Sequence, residues 1–149
     1  MGEGEFKTLA LWRAAYHGSP NRPRFLPLGV SGVYNWRGAI GKTVGPDGGR
    51  MDVKGAIPDL DWITWTGRRV IIAYDATAVT KEIVRIARST LAAAHLRTCG
   101  ALVGFLEWHV AKGKGIDDHL ARVGPDAVLD EIGRVDFAAH VGASLAPLI

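Results

Sequence analysis

Hydrophobic positions along the chain change their spacing several times, and each change marks an expected element. Phe6, Leu9, Trp12 and Tyr16 recur at three- and four-residue steps along one side of residues 5–17, the spacing of a helix. Gly18-Ser19-Pro20-Asn21 ends it, with Pro23 beyond. The short apolar run from Phe25 to Val30 fits an edge strand, because Pro27 has no N–H to give to a ladder. Residues 38–56 are glycine-rich, and Gly45-Pro46-Asp47-Gly48-Gly49 separates Lys42-Thr43-Val44 from Met51-Asp52-Val53. An exposed β-hairpin inserted between the main elements is expected there.

The second half carries a stronger pattern. Arg69-Val70-Ile71-Ile72-Ala73-Tyr74 is a continuous β-branched run ending in Asp75, as in a strand covered on both faces. A long helix is predicted over 78–98, with Ile83, Ala87, Leu91 and Ala94 inward and Lys81, Arg85 and Arg88 outward. Gly100 stops it. Leu102 to Leu106 reads as the next strand, a Lys/Gly loop spans 111–115, and helices follow at 116–122 and 125–133. The tail, 137–149, is small and apolar and signals no element. Strand–helix–strand–loop–helix is the order of an α/β domain with a mostly parallel sheet. No internal repeat is present, so one domain over 1–149 is expected.

Composition narrows the class. A chain of 149 residues suits one core, and 48% hydrophobic with 22% charged residues excludes a disordered tail. The single cysteine, Cys99, excludes a disulfide framework and fits a reducing compartment. No apolar run approaches the roughly 18 residues of a membrane span, and Met1-Gly2-Glu3-Gly4-Glu5-Phe6-Lys7 is too acidic for a signal peptide. Phe6 also stands where a myristoylation signal needs Ser or Thr. A cytoplasmic domain with no membrane partner is therefore expected. The net charge of +3 is a weak field over a whole domain, so nucleic acid, if bound, is bound at a local site.

Two motifs fail on inspection. Gly41-Lys42-Thr43 lacks the glycine of a phosphate loop, since Trp36 stands five positions before Gly41. Gly29-Val30-Ser31-Gly32-Val33 puts the last glycine of a nucleophile elbow one position early. His17, His95, His109, His119 and His140 show no metal-ligand spacing, and the five tryptophans read as core. The acidic positions say more. Asp75 stands at the carboxyl end of a strand, where open α/β sheets bind ligands. Asp117 and Asp118 follow the next strand through a loop carrying Lys112 and Lys114, and Glu3 precedes the first helix. Carboxylates on one rim with lysines interleaved can hold Mg²⁺ and the phosphates it bridges. Helix capping by Asp75 and by Asp117 or Asp118 accounts for the same positions equally well.

These residues also carry a family resemblance. Glu3-Gly4, then Tyr74-Asp75-Ala76-Thr77, then Lys112-Gly113-Lys114-Gly115-Ile116-Asp117-Asp118-His119-Leu120 resemble, in this order, the three signatures of a Toprim domain. That is the metal-binding fold shared by topoisomerases and primases. The nearest likeness is to the Toprim-like family of primase and helicase proteins in plasmids, phages and integrated elements. Gly29 to Val33, Ile57-Pro58-Asp59-Leu60 and Gly67-Arg68-Arg69-Val70 add to it, so the resemblance spans most of 3–133. It implies a Toprim-like α/β domain whose first strand is missing or truncated. It also implies Glu3 as general acid or base in Mg²⁺-dependent phosphoryl transfer on nucleic acid, DNA above RNA. Glu3, Asp75, Asp117 and Asp118 would be the metal ligands, with Lys7, Lys112 and Lys114 on phosphate. Other domains or subunits of a mobile-element replication protein are the further partners it implies. Two departures matter: Thr77 stands where the second Asp of an Asp-x-Asp pair belongs, and Glu3 lies almost at the first residue. Both point to a truncated piece of a longer protein or to a degenerate binding or docking module that has kept the fold.

Overall fold

The computed structural model describes residues 1–137. It is a mixed α/β arrangement of six short strands and four α-helices among the described residues. Strands β1 (Gly2–Glu3) and β2 (Gly29–Val30) pair in parallel around helix α1 (Glu5–Ala15). Strands β5 (Arg69–Ile72) and β6 (Leu102–Phe105) pair in parallel around helix α2 (Glu82–Leu91), in a register that sets Ile71 opposite Gly104. A parallel bridge from Gly2 to Ala73 joins the two β-α-β units, and Ala73 N–H donates to Met1 O at 2.7 Å. Strand β1 is thus present but only two residues long.

The apolar run of β5 is explained by what lies on its two sides. Val70, Ile72 and Tyr74 join a core completed by Ala87, Leu91 and Leu96 from the α2 side. Ala73 and, on the neighbouring strand segment, Leu106 face a second core with Leu11 of α1, Ile116 of helix α3 (Ile116–Val123) and Val128 of helix α4 (Pro125–Gly133). Alternate residues of one strand therefore feed both layers, which requires the unbroken hydrophobic pattern.

The structure fixes the face that α1 buries and corrects the facing expected of α2 and of the tryptophans. On α1 the buried residues are Leu11, Ala14 and Ala15, while Phe6, Leu9 and Trp12 are exposed. Small side chains let the helix sit close on the sheet, and the bulkier stripe is turned away. On α2 the inward face runs through Ala87, Arg88, Leu91, Ala92, His95 and Leu96. Ile83 is 64% exposed, Ala94 is exposed and Arg88 is buried. The helix begins at Glu82 after a separate 3₁₀ turn (Ala76–Val79), and Ala92–Leu96 forms a π-helical turn. Ala87, Arg88, Leu91, Ala92, His95 and Leu96 share one face at three- and four-residue steps, and Ile83 and Ala94 both fall outside it. Arg88 is accommodated by an ion pair with Glu107 and by the ring of Phe105, 4.7 Å from its guanidinium carbon. Finally, Trp12 and Trp62 are exposed, whereas Trp36, Trp65 and Trp108 are core residues.

The inserted hairpin is formed by β3 (Arg37–Val44) and β4 (Arg50–Ala56), antiparallel with a bulge at Ile40. The Gly41-Lys42-Thr43 segment lies within it, as the rejected phosphate loop requires. Most of the tail expectation, residues 138–149, lies outside the described residues. No helix among the described residues is long and apolar enough to cross a membrane. Ile72→Ala empties a fully buried site shared by the sheet and α2, and should cost about 2–5 kcal/mol of unfolding free energy in urea denaturation. Ile83→Ala, on the exposed face, should cost less than about 0.5 kcal/mol; equal losses would contradict this orientation of α2.

Candidate functional site

Glu3 closes β1, and the chain turns into α1 at Gly4, whose φ of 82° suits glycine and few other residues. That tight turn puts Lys7, one helical turn on, beside the end of β1. Lys7 Nζ lies 3.1 Å from Glu3 Oε1 and 2.6 Å from Asp75 Oδ1. One ammonium thus joins the carboxyl ends of β1 and β5. Lys114 Nζ approaches the other oxygen of Asp75 at 3.8 Å. Burial pulls the Lys7 ammonium down, but hydrogen bonds to Asp75 and Glu3 outweigh it and hold the amine above the ordinary lysine value. Burial, reinforced by the charge of Glu3, pushes the Tyr74 phenol up; its hydroxyl donates to Val33 O at 3.3 Å.

Asp117 enters from α3. It lines a cavity of about 240 Å³ with Glu3, Gly4, Glu5, Phe6, Lys7 and Gly32, and its Oδ1 is buried with no hydrogen-bond partner. Gly115 makes this approach possible: a Cβ there would stand 2.3 Å from Asp117 Oδ1 and 2.8 Å from Lys7 Cε. Asp118 does something else. Its Oδ2 accepts from Gly115 N–H at 3.4 Å, so it acts as a cap on α3. Asp75 makes no capping bond to the turn that follows it. The structure therefore brings Glu3, Asp75 and Asp117 around Lys7 and leaves Asp118 at the helix end. Thr77 lies in the 3₁₀ turn after Asp75, where its carbonyl accepts from Thr80 and Lys81 N–H.

Lys112 is turned away, towards Glu131 of α4 at 3.4 Å. Its loop is nonetheless tightly held, because three successive carbonyls each meet an inward donor. Lys112 O accepts from His119 Nδ1 at 3.0 Å, Gly113 O from Trp108 Nε1 at 2.8 Å and Lys114 O from Ala76 N–H at 2.8 Å. His119 is fully buried, stacks on Trp108 with centroids 5.1 Å apart, and meets Glu131 Oε2 at 2.6 Å through Nε2. Burial raises Glu131, but the hydrogen bond from His119 and the nearby Lys112 outweigh it and hold its carboxyl below the ordinary range. These supporting residues have no sequence signal: His119 and Glu131 are twelve positions apart on different helices. A second, largely apolar cavity of about 170 Å³, lined by Phe25, Leu28, Ile71 and Leu106 among others, includes none of the rim carboxylates.

The donors at the rim are hard carboxylate oxygens, the type Mg²⁺ takes, and the buried Asp117 Oδ1 has no hydrogen-bond partner to compete for it. As the side chains stand, however, Lys7 supplies the positive charge, and no three acidic, His or Cys side chains among the described residues are grouped to hold a metal.

The profile of one protein family, described as Domain of unknown function (DUF3854), matches residues 3–127. The chain belongs to this family. The matched span of DUF3854 runs from Glu3 through Asp75 to the Lys112–Asp118 loop and into α4, so it contains every rim residue. No curated protein and no solved structure matches the chain.

Because Lys7 is raised in the fold, its contribution to stability is full below the ordinary lysine value of 10.5 and is lost as pH rises through its folded value. Lys7→Met should lower unfolding free energy by about 1–3 kcal/mol at neutral pH. The difference from wild type should shrink as pH climbs beyond 10.5. A pH-independent difference would show that Lys7 acts through packing alone.

Proposed function

We propose that this DUF3854 domain is a Toprim-like module that holds nucleic-acid phosphate through Mg²⁺ at the rim of Glu3, Asp75 and Asp117. The observation that carries this is the convergence on Lys7 of carboxylates from two strand ends, with a buried, unpartnered Asp117 oxygen beside them. Three carboxylates against the half-buried Lys7 and the exposed Lys114 leave the rim short of positive charge, so phosphate binding there calls for an added cation. Mg²⁺ supplies neutralisation of charge on the phosphate, with hard oxygen ligands from the chain. Glu3 at the strand end is the group available to take or give a proton, which gives phosphodiester cleavage or formation as the reaction class. Lys7, relieved of its carboxylates when they turn to a cation, is the nearest ammonium for a phosphate oxygen, with Lys114 beside it. Asp118 supports this rim as a cap, and Lys112 through its loop. The setting that fits is a DNA replication protein of a mobile element acting in the cytoplasm, with other domains or subunits as partners.

A non-catalytic binding or docking module is the second reading, and one observation favours it. Lys7 already neutralises Glu3 and Asp75, and Thr77 offers a hydroxyl where a carboxylate would strengthen the cation site.

Calorimetric titration of Mg²⁺ into wild type, Thr77→Asp and Asp75→Asn separates the two. Weak binding by wild type, tighter binding by Thr77→Asp and none by Asp75→Asn are expected. Equal heats from all three would mean that the rim is an internal ion pair and no metal site. Mg²⁺-dependent cleavage of labelled DNA by wild type, lost in Glu3→Gln, would establish catalysis; no cleavage with Mg²⁺ bound would leave the binding module.

A further inference from the structure

The β3–β4 hairpin has no role at the rim, yet its two faces are sharply different. In the antiparallel register Lys42 stands opposite Asp52, Val44 opposite Arg50, Ala39 opposite Lys54 and Arg37 opposite Ala56. Opposed residues share a face, and so do alternate residues along a strand. The bulge at Ile40 keeps Arg37 and Ala39 on the face of Lys42. Arg37, Lys42, Arg50 and Lys54 therefore lie on one face, with Asp52 as its single acid. The other face pairs Gly41 with Val53, Thr43 with Met51 and Gly38 with Gly55, and carries no charge. Nearly the whole ribbon is exposed.

Each cross-strand pair on this face carries one basic residue, on one strand or the other, and successive pairs stand about 6.7 Å apart, so the cations form a staggered row on a ribbon about 25 Å long. The chain as a whole carries only +3, whereas this face sets four basic residues against one aspartate. Lys42 Nζ is 2.8 Å from Asp52 Oδ1 and Lys54 Nζ is 3.6 Å from Oδ2. The hydrogen bond from Lys42 and the charge of Lys54 hold Asp52 below the ordinary carboxylate range, so it stays ionised between them. Such exposed pairs are weak and open readily to a competing polyanion. Arg37 is braced at the base, its guanidinium carbon 4.9 Å from the centre of the Tyr34 ring.

We infer that the basic face of the hairpin is a second nucleic-acid contact surface, which lies along the phosphate backbone of a duplex. Charge complementarity selects this occupant: a polyanion with closely spaced charges matches a row of cations, and a two-stranded ribbon is narrow enough to enter a major groove. The inference rests on the nucleic-acid partner proposed above but on none of the rim residues.

The test measures binding of the full chain to a fluorescent 20-base-pair duplex of mixed sequence by anisotropy at several salt concentrations, without Mg²⁺. Replacing Lys42, Arg50 and Lys54 together by Gln should weaken binding at least about tenfold and lower the slope of log K against log salt by about 2–3, since each duplex phosphate contact contributes about 0.9. Asp52→Asn should tighten binding several-fold, a gain that misfolding cannot produce. An unchanged slope in the triple variant overturns the inference. So does loss of binding in Ile40→Ser with Met51→Ser but not in the triple variant, because the apolar face would then be the contact. If hairpin variants bind normally, and Asp75→Asn loses only the extra DNA binding that wild type gains when Mg²⁺ is added, the rim reading stands and the hairpin surface falls. If wild type binds no duplex at any salt, the hairpin surface and the nucleic-acid partner both fall, and Mg²⁺ binding is judged by calorimetry alone.

Discussion

A two-residue strand holds the molecule together. Gly2 N–H donates to Leu28 O at 2.9 Å and Gly4 N–H to Val30 O at 2.7 Å on one side, while Met1 O accepts from Ala73 N–H on the other. Few as they are, these backbone bonds align the first β-α-β unit with the second, and that alignment decides where Glu3 and Asp75 stand. Without it the two strand ends would have no fixed relation, and Lys7 would have one carboxylate to neutralise instead of two. A strand this short gains little from its ladder and depends on what packs above and below it. Leu11 of α1 provides cover over Gly2, and Met1 beside it joins the core that holds Ile72 and Leu91.

The electrostatics at the strand ends follow from the same alignment. Two carboxylates brought to one ammonium at partial burial would repel each other strongly if the ammonium left, so the fold leaves this edge with a strong demand for positive charge. Lys7 meets it from α1, Lys114 adds to it from the loop, and Asp117 adds a further unmet oxygen. The neighbouring helix end shows the contrast. Asp118, one residue on, is exposed and spends its carboxylate on the N-terminus of α3, where any acidic side chain is favoured.

Much of this arrangement was legible in the order of residues. The β-branched run at 69–72, the parallel partner at 102–105, the hairpin and the strand-end position of Asp75 all follow from local patterns with one dominant cause. What was illegible had causes far apart in sequence. The stripe Phe6, Leu9, Trp12 has helical spacing, but spacing cannot say which side of α1 the sheet will take, and the sheet took the alanines. On α2, likewise, helical spacing fits more than one choice of inward face, and the face taken runs through Arg88 and His95 and leaves Ile83 and Ala94 outside. The division of labour between Asp117 and Asp118 depends on Gly115 and on Lys7 more than a hundred residues earlier.

Loop 111–115 has a consequence for affinity that contacts alone do not express. Its carbonyls at 112, 113 and 114 are already committed to His119, Trp108 and Ala76, so its backbone has lost its freedom before any ligand arrives. An ordinary lysine-glycine loop would have to be frozen at the moment of binding, at about 1–2 kcal/mol for each residue ordered. Here that entropy was surrendered during folding, and only the side chain of Lys114 still has to be stilled. A contact made at such a position is spared that ordering cost.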